Sequence, residues 1–570
     1  MQKRNPVKIA VPILESFRTD TVRPQGMLLD YVNQLAEIVK TIEGNPFLAQ
    51  RVSLLEGRWL LEDDAQNVWM EPADILEAPA AAIKALQQNL LVSRRYRNKT
   101  LLMQLVEHTD ALYLRLQGAE NRQQVLDVIG VELLAYLLDL FRVLAKPSLL
   151  DFIYYVNDRL YNYASFLQSM PVISASTPEV PEGTPKNSAT QAYYERMHRL
   201  AQGECVANGV WSAALNYRAT GMMRDVDSVI RGTKLLEKYH GTVHGAYTAN
   251  DYLAGRCPNA ATNILAACKY FMALQSILEV TQDISVANRM ENIAVNLLIG
   301  YVKEGRIQVM QSSNQIDIDT EKDLPYAQVK SASFFAPVEK QEELTALCDC
   351  MNAFIRSLWL KKQNGGLVLM FPFASKICYS IDGNPVSIVI NSKYPFEEEI
   401  EIIVYTKKTV NFPMYLRIPA FASQAVVSVN KEVWQPAIAD SFYVVSRSFH
   451  NGDKIKMKLP LNLNMNKFYR RSCAVFRGPV LYALPQDAQA KRYDNYAIDG
   501  KSLPRMDDQD PSAVCVNAFP FQGEQNHSSN IALMPECDLK NSVELKLYPS
   551  YRLIGRIAQF ATVDFEDKGE

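Results

Sequence analysis

Apolar side chains recur every three or four residues through the first half of the chain. Ile264, Cys268, Phe271, Leu274 and Leu278 form one such series, and Val286, Met290, Ile293 and Leu297 the next. That period predicts amphipathic helices. The polar interval VTQDIS between the two series predicts a break, with Asp283 or Ser285 capping the second helix. ATGMMRD separates a helix ending near Ala219 from one running to about Tyr239, and RLQGAENRQQVLDVI repeats the scheme of helix, small-residue turn and helix. Degenerate antiparallel helix pairs of this kind build either a solenoid or a closed α/α barrel. Pro171 to Gln191 is rich in Pro, Ser and Thr and has no period, which predicts a surface loop or linker.

After Asn364 the period changes. VSIVINS, EIEIIVYT, MYLRIP, SFYVVSRSF, DKIKMKLP and CAVFRGPVLYAL alternate or run apolar in short bursts. Turn signals such as GNP and NGD separate them, as in an antiparallel sandwich. ELKLYPSY and RIAQFATVDF are expected to return as further strands.

A chain of 570 residues exceeds what one hydrophobic core organises, so at least two domains are expected. With 60 basic and 62 acidic residues, the net charge of −2 gives no electrostatic reason to expect nucleic acid as a partner. No Lys/Arg block or apolar run of spanning length points to membrane insertion. The start MQKRNPVKIAVPILESF has a short apolar run broken by Pro12, too little for a signal-peptide core. Nine scattered cysteines in so large a chain read as reduced thiols. The expected location is therefore the cytoplasm, or export without a cleavable signal.

The densest chemistry lies in YHGTVHGAYTANDYLAGRCPNAATN, Tyr239 to Asn263, which holds two of only six histidines together with Asp251 and Cys257. Helical spacing would put His240 and His244 on one face, as a metal pair requires. Gly241 and Gly245 argue for a loop instead, and for structural or sugar-contacting roles. Cys348-Asp349-Cys350 is a C-x-C without a second pair at zinc-finger spacing, so buried inert thiols on a helix are the default expectation. Glu342 and Glu343, in VEKQEELT, read first as a solvated helix face. Trp69, Glu71, Asp74 and Glu77 are further candidates for the same cleft, and Trp211, Tyr239, Tyr247 and Tyr252 could offer stacking faces to a sugar.

Several phrases, in order, resemble the zinc- and cysteine-dependent β-L-arabinofuranosidase family of glycoside hydrolases. TVRPQGMLLDYVNQL resembles that family's opening Arg-Pro-x-Gly turn into a helix. KYHGTVHGAYTANDYLAG, RMENIAVNLL and SNQ are similar to its barrel segments. SLWLKKQNGGLVLMFPFAS, LRIPAF, NGDKIKMKLP and FRGPVLYAL are similar to its sandwich phrases. The resemblance implies an α+β multidomain fold: an N-terminal α/α barrel of helical hairpins over 1–362, with 170–191 a mobile loop or linker, and an antiparallel β-sandwich region over 363–570.

It also implies a site, in which three cysteines and a glutamate hold zinc, one thiolate attacks the sugar and a separate glutamate is the acid/base. Zinc keeps a thiol deprotonated near neutral pH, and the carboxyl protonates the leaving oxygen. In this chain the acid/base position falls on Asp251, one methylene shorter. The zinc glutamate and its neighbouring cysteine fall on Asn263 and Leu265, and the adjacent cysteine pair on Glu342 and Glu343. The cysteines nearby, Cys348 and Cys350, are shifted in register. The zinc set is absent, so neither a metal nor another cofactor is expected. Substrate-binding positions are expected at Gln202, His240, His244, Tyr252, Asn263 and Gln315. The sequence thus describes a divergent member whose zinc–thiolate site is degraded, a pseudo-glycosidase binding a glycan or a protein. The alternative is an active glycosidase with Asp251 as acid/base and a nucleophile drawn from Glu342, Glu343, Cys348 or Cys350.

Overall fold

A computed structural model describes residues 10–17, 21–40, 69–96, 98–170, 183–185, 188–249, 251–303, 306–315, 335–336, 341–363, 365–468, 472–486, 496–520, 537 and 539–563. Twelve α-helices occur among them. They are α1 (Met27–Lys40), α2 (Pro79–Tyr96), α3 (Lys99–Gly118), α4 (Arg122–Leu144), α5 (Ser148–Asn157), α6 (Tyr163–Gln168), α7 (Ala189–Leu200), α8 (Gly203–Thr220), α9 (Arg224–His240), α10 (Ile264–Thr281), α11 (Ile284–Ile293) and α12 (Gln341–Ser357).

Local chemistry sets their ends. Asn98, Asn162, Ser188, Asn263 and Asp283 each accept a backbone N–H of the first turn, satisfying a donor that the helix leaves over. Gly221 ends α8 in the left-handed conformation at φ 76°. The helix α10 is long and apolar enough to cross a membrane by length and composition. Here it packs along α8 and α12, and Phe271, Leu274 and Leu278 are buried.

Asn208 of α8 meets Glu132 of α4, and ten residues on Arg218 meets Asp139, so these two helices lie side by side and run in the same direction. α4, α8 and α12 each carry an arginine in the last turn, Arg142, Arg218 and Arg356, where a cation complements the helix dipole.

Beyond α12 the alternation of buried and exposed positions builds two sheets. The first is ordered Leu14–Ser16, Trp359–Lys362, Leu367–Leu369, Val410–Ile418, Ser441–Phe449; only the pair of Leu367–Leu369 with Met414–Leu416 is parallel. The second is antiparallel, ordered Gln435–Ala437, Ala425–Val429, Asp453–Lys458, Glu399–Thr406, Asn384–Ser392, Ser375–Ile381, Val22–Pro24. Ile400, Ile402 and Val404 of one sheet and Met414, Leu416 and Ile418 of the other join a single buried apolar cluster. A third sheet, mainly from residues 463–563, also pairs with Asn314–Gln315.

Two features depart from a division at residue 362. Each of the first two sheets takes an edge strand from the N-terminal segment, Leu14–Ser16 or Val22–Pro24. The third sheet forms a separate array after the first two. Three-residue strands are too short to display a period, so the sequence pattern does not reveal the first departure.

The helical and sheet parts are tied by a buried ion pair. Arg417, with none of its side chain exposed, lies 2.9 Å from Glu291, which is 2% exposed. Tyr394 donates to the same carboxylate at 2.7 Å, and Arg417 donates to Asn288 at 2.7 Å and to the Met370 carbonyl at 3.0 Å. A second tie follows α11, where the π-helical turn Ala294–Leu298 turns Asn296 towards the third sheet. Its amide donates to the Pro479 carbonyl and accepts from the Leu481 N–H, each at 2.8 Å.

Candidate functional site

The segment between α9 and α10 folds over the N-terminal ends of α8 and α10. Its backbone is pinned to both: Gly203 N donates to the Asp251 carbonyl at 2.9 Å, and Asn263 N donates to the Ala249 carbonyl at 3.0 Å. Tyr247 donates its hydroxyl to the Gly203 carbonyl at 2.5 Å. Gly203 permits this approach, because a Cβ there would lie 2.7 Å from that of Ala249 and 3.0 Å from that of Ala266.

His240 is the last residue of α9, and its ring is 2% exposed. Nδ1 accepts from Gly255 N at 3.0 Å, which places the ring proton on Nε2. Burial lowers its pKa to about 4, so the imidazole is neutral at pH 7. His244 is likewise buried. The loop between them holds both rings in the interior.

Gln202 and Tyr252 come together. They form an isolated antiparallel bridge, and the Gln202 amide reaches the Tyr252 hydroxyl at 3.5 Å. That hydroxyl also hydrogen-bonds His198 Nε2 of α7, with the two ring centroids 4.4 Å apart. Asp251, next in the chain, is exposed at this rim.

The other expected positions serve different ends. Asn263 Oδ1 accepts from Ala266 N at 2.6 Å as the cap of α10, and Leu265 packs against the core. Glu342, at the start of α12, lies 2.6 Å from Lys84, which holds its carboxyl below the usual range. Glu343 is half-buried beside it. Cys348 and Cys350 are buried on α12. Burial, and then contact with Cys268 of α10, pushes the Cys350 thiol well above its ordinary value. Gln315 is buried where its backbone pairs with Arg556, and its side chain accepts from Ser312 N at 3.4 Å. Trp69 donates to Glu71 at 2.7 Å, and Asp74 pairs with Arg115 of α3.

Sequence reasoning missed a polar cluster just below this rim. Lys269 of α10 lies 2.7 Å from Glu204, in the first turn of α8, and 3.3 Å from Glu132 of α4. Asn208 donates to the same Glu132 oxygen at 3.1 Å. Burial alone would lower the pKa of Lys269; the two carboxylates outweigh it and hold the ammonium above its ordinary value. Cys205, beside Glu204, is pushed up by burial to about 11, so it is a thiol at pH 7. One signal was present in the sequence: Lys269 follows Leu265 by four residues and so shares its helix face. Its partners come from two other helices.

The zinc site implied by the resemblance does not fit these side chains. Asn263 uses its oxygen on the helix cap, Leu265 has no donor atom, and Glu342 is engaged by Lys84. Among the described residues no three His, Cys, Asp or Glu side chains converge as a metal would require.

Residues 367–461, which span most of the first two sheets, match the family description Beta-L-arabinofuranosidase, GH127 middle domain. Among solved structures, one described as a glycoside hydrolase overlays 98% of this chain and 98% of its own, with a TM-score of 0.71 at 14% identity. A GH127 β-L-arabinofuranosidase from Geobacillus stearothermophilus T6 overlays 95% of this chain and 92% of its own, with a TM-score of 0.64 at 14% identity. A GH127 β-arabinofuranosidase overlays 97% and 98%, with a TM-score of 0.59 at 11% identity. No curated protein sequence matches. Residues 367–461 thus resemble the GH127 middle domain, and the chain shares its fold with these solved structures along nearly its whole length.

Proposed function

We propose that the protein is a carbohydrate-binding pseudo-glycosidase, an α/α barrel followed by β-sandwich sheets in which the zinc–thiolate chemistry has been lost. The observation that carries this is the start of α10. There a helix-capping amide, Asn263, and an apolar side chain, Leu265, stand where the resemblance calls for two zinc ligands. The common direction of α4 and α8, with shorter helices between them in the chain, supports the barrel. The rim of Gln202, Tyr252, His198 and Asp251 offers an aromatic face with amide and carboxylate groups beside it, the chemistry that sugar rings and hydroxyls require.

Catalysis by Asp251 faces a geometric obstacle. Relative to glutamate, aspartate withdraws the carboxyl by about 1.5 Å, one C–C bond. A displacement of about 1 Å already costs on the order of a hundredfold in rate. The test is a paired assay of wild type and Asp251→Asn, combining hydrolysis of an aryl arabinofuranoside panel with binding to a glycan array. Glycan binding that survives the substitution, without turnover in either protein, is the expected result. Robust turnover abolished by Asp251→Asn would overturn it, and absence of both activities would favour a protein-interaction role.

A further inference from the structure

The cluster under the rim is only partly enclosed. Glu132 is 17% exposed, Lys269 27% and Glu204 35%. An ammonium has three N–H donors. Two of those on Lys269 are directed at Glu132 and Glu204, which leaves one for a ligand. Glu204 contacts the lysine through Oε2, and its other oxygen has no protein partner among the described residues. A free donor and a free acceptor therefore sit on two groups held 2.7 Å apart. Behind them Asn208, 6% exposed, fixes Glu132, and Glu132 fixes the lysine. The first turn of α8 also favours the Glu204 charge through the helix dipole.

We propose that Lys269 and Glu204 form a vicinal-diol subsite for a neutral sugar, a proposal that rests on the carbohydrate reading above. Lys269 donates to the oxygen of one ring hydroxyl, and Glu204 Oε1 accepts the hydrogen of the neighbouring hydroxyl. One donor and one acceptor side by side match two adjacent hydroxyls, each of which can give or take a hydrogen bond. Arg199 also acts on this cluster, so two cations face the two carboxylates and the local charge is balanced, as suits a neutral ligand. The subsite needs no metal, because its cation is carried by the chain. Lys269 thereby becomes a specificity-determining residue at the helix that carries Asn263 and Leu265.

The probe is methyl β-L-arabinofuranoside, with its 2-deoxy and 3-deoxy analogues, titrated calorimetrically into full-length protein. Hydrogen bonds to charged groups are the strong class, so Lys269→Met should weaken binding of the parent sugar by about tenfold or more. Glu204→Gln keeps an oxygen acceptor and should weaken it less. Lys269→Arg keeps a charged donor and should restore most of the affinity. The deoxy analogue that lacks the hydroxyl contacted by Lys269 should bind wild type about tenfold more weakly and be insensitive to Lys269→Met, whereas the other analogue should remain sensitive. That insensitivity separates recognition from a structural role, which would weaken every ligand alike. Should Lys269→Met fail to fold, the comparison of parent and deoxy sugars on wild type decides. Equal binding of all three sugars by wild type, or equal loss of all three in Lys269→Met, overturns the subsite while leaving carbohydrate binding intact. Failure of wild type to bind this sugar or any glycan on the array overturns both.

Discussion

Removing one partner of the Glu291–Arg417 pair should destabilise the protein far more than a surface ion pair would. Both side chains are essentially sealed from water, and the guanidinium makes further bonds to Asn288 and to the Met370 carbonyl. Glu291→Gln preserves shape and leaves the buried guanidinium without its counter-charge, at a cost of about 3–5 kcal/mol. Surface pairs, by contrast, contribute about 0–1 kcal/mol. Apolar replacement of both partners, Glu291→Met with Arg417→Met, should cost much less than the two single changes added together, because no uncompensated charge remains. Tyr394 would still lose its acceptor, so some of the cost should persist, about 1–3 kcal/mol for the unpaired hydroxyl. Urea unfolding followed by far-ultraviolet circular dichroism and by tryptophan fluorescence measures these values. The pair joins a helix to the sheets, so the single substitution should also separate the helical and sheet transitions. A Glu291→Gln protein within about 1 kcal/mol of wild type, with the transitions still coincident, would refute the reasoning.

Two further outcomes follow from the site. Metal analysis of the purified protein should find well under one zinc per chain; about one zinc, lost in Cys348→Ser with Cys350→Ser, would restore the thiolate mechanism. His240 titrates at about 4 when folded and near 6.5 when unfolded, so the unfolded chain binds the extra proton first. Stability is then complete above pH 6.5 and falls by about 3 kcal/mol as pH drops towards 4. Urea midpoints between pH 7 and pH 4.5 should lose this component in His240→Gln. An NMR titration placing the His240 pKa at 6.5 would contradict it.

The helical half and the antiparallel sheets were legible because their periods differ and both run long enough to show. Asp283 caps α11 as the polar break suggested, accepting from Ser285 N at 2.8 Å. VSIVINS and EIEIIVYT pair in antiparallel register as their alternation suggested. What escaped was information held in no local window. The edge strands Leu14–Ser16 and Val22–Pro24 exist because a sheet edge three hundred residues on offers unpaired backbone groups. Gln202 was singled out through a family resemblance and Tyr252 as a stacking face, and their adjacency became visible only once the loop was seen to fold onto α8. Lys269 is one of two charges, with Glu279, on a largely apolar helix. Its meaning depends on Glu132 and Glu204, which lie 137 and 65 positions away.

A site built around zinc has a fixed positive charge that gathers anionic ligands and keeps three or four segments in place. Deleting the ligands without replacing the charge would leave any remaining carboxylates repelling one another at the helix ends. In this chain a cation comes from a side chain: the Lys269 ammonium draws Glu132 and Glu204 together and so joins α4, α8 and α10. A metal ion activates a thiol by binding it, whereas the Lys269 ammonium offsets only part of the burial at Cys205 and, held above its ordinary pKa, does not serve as a base. Cys205, the cysteine closest to that ammonium in the cluster, is pushed up to about 11 by burial despite the lysine. The electrostatics around Lys269 thus accord with the proposed binding of a neutral, hydroxyl-rich ligand.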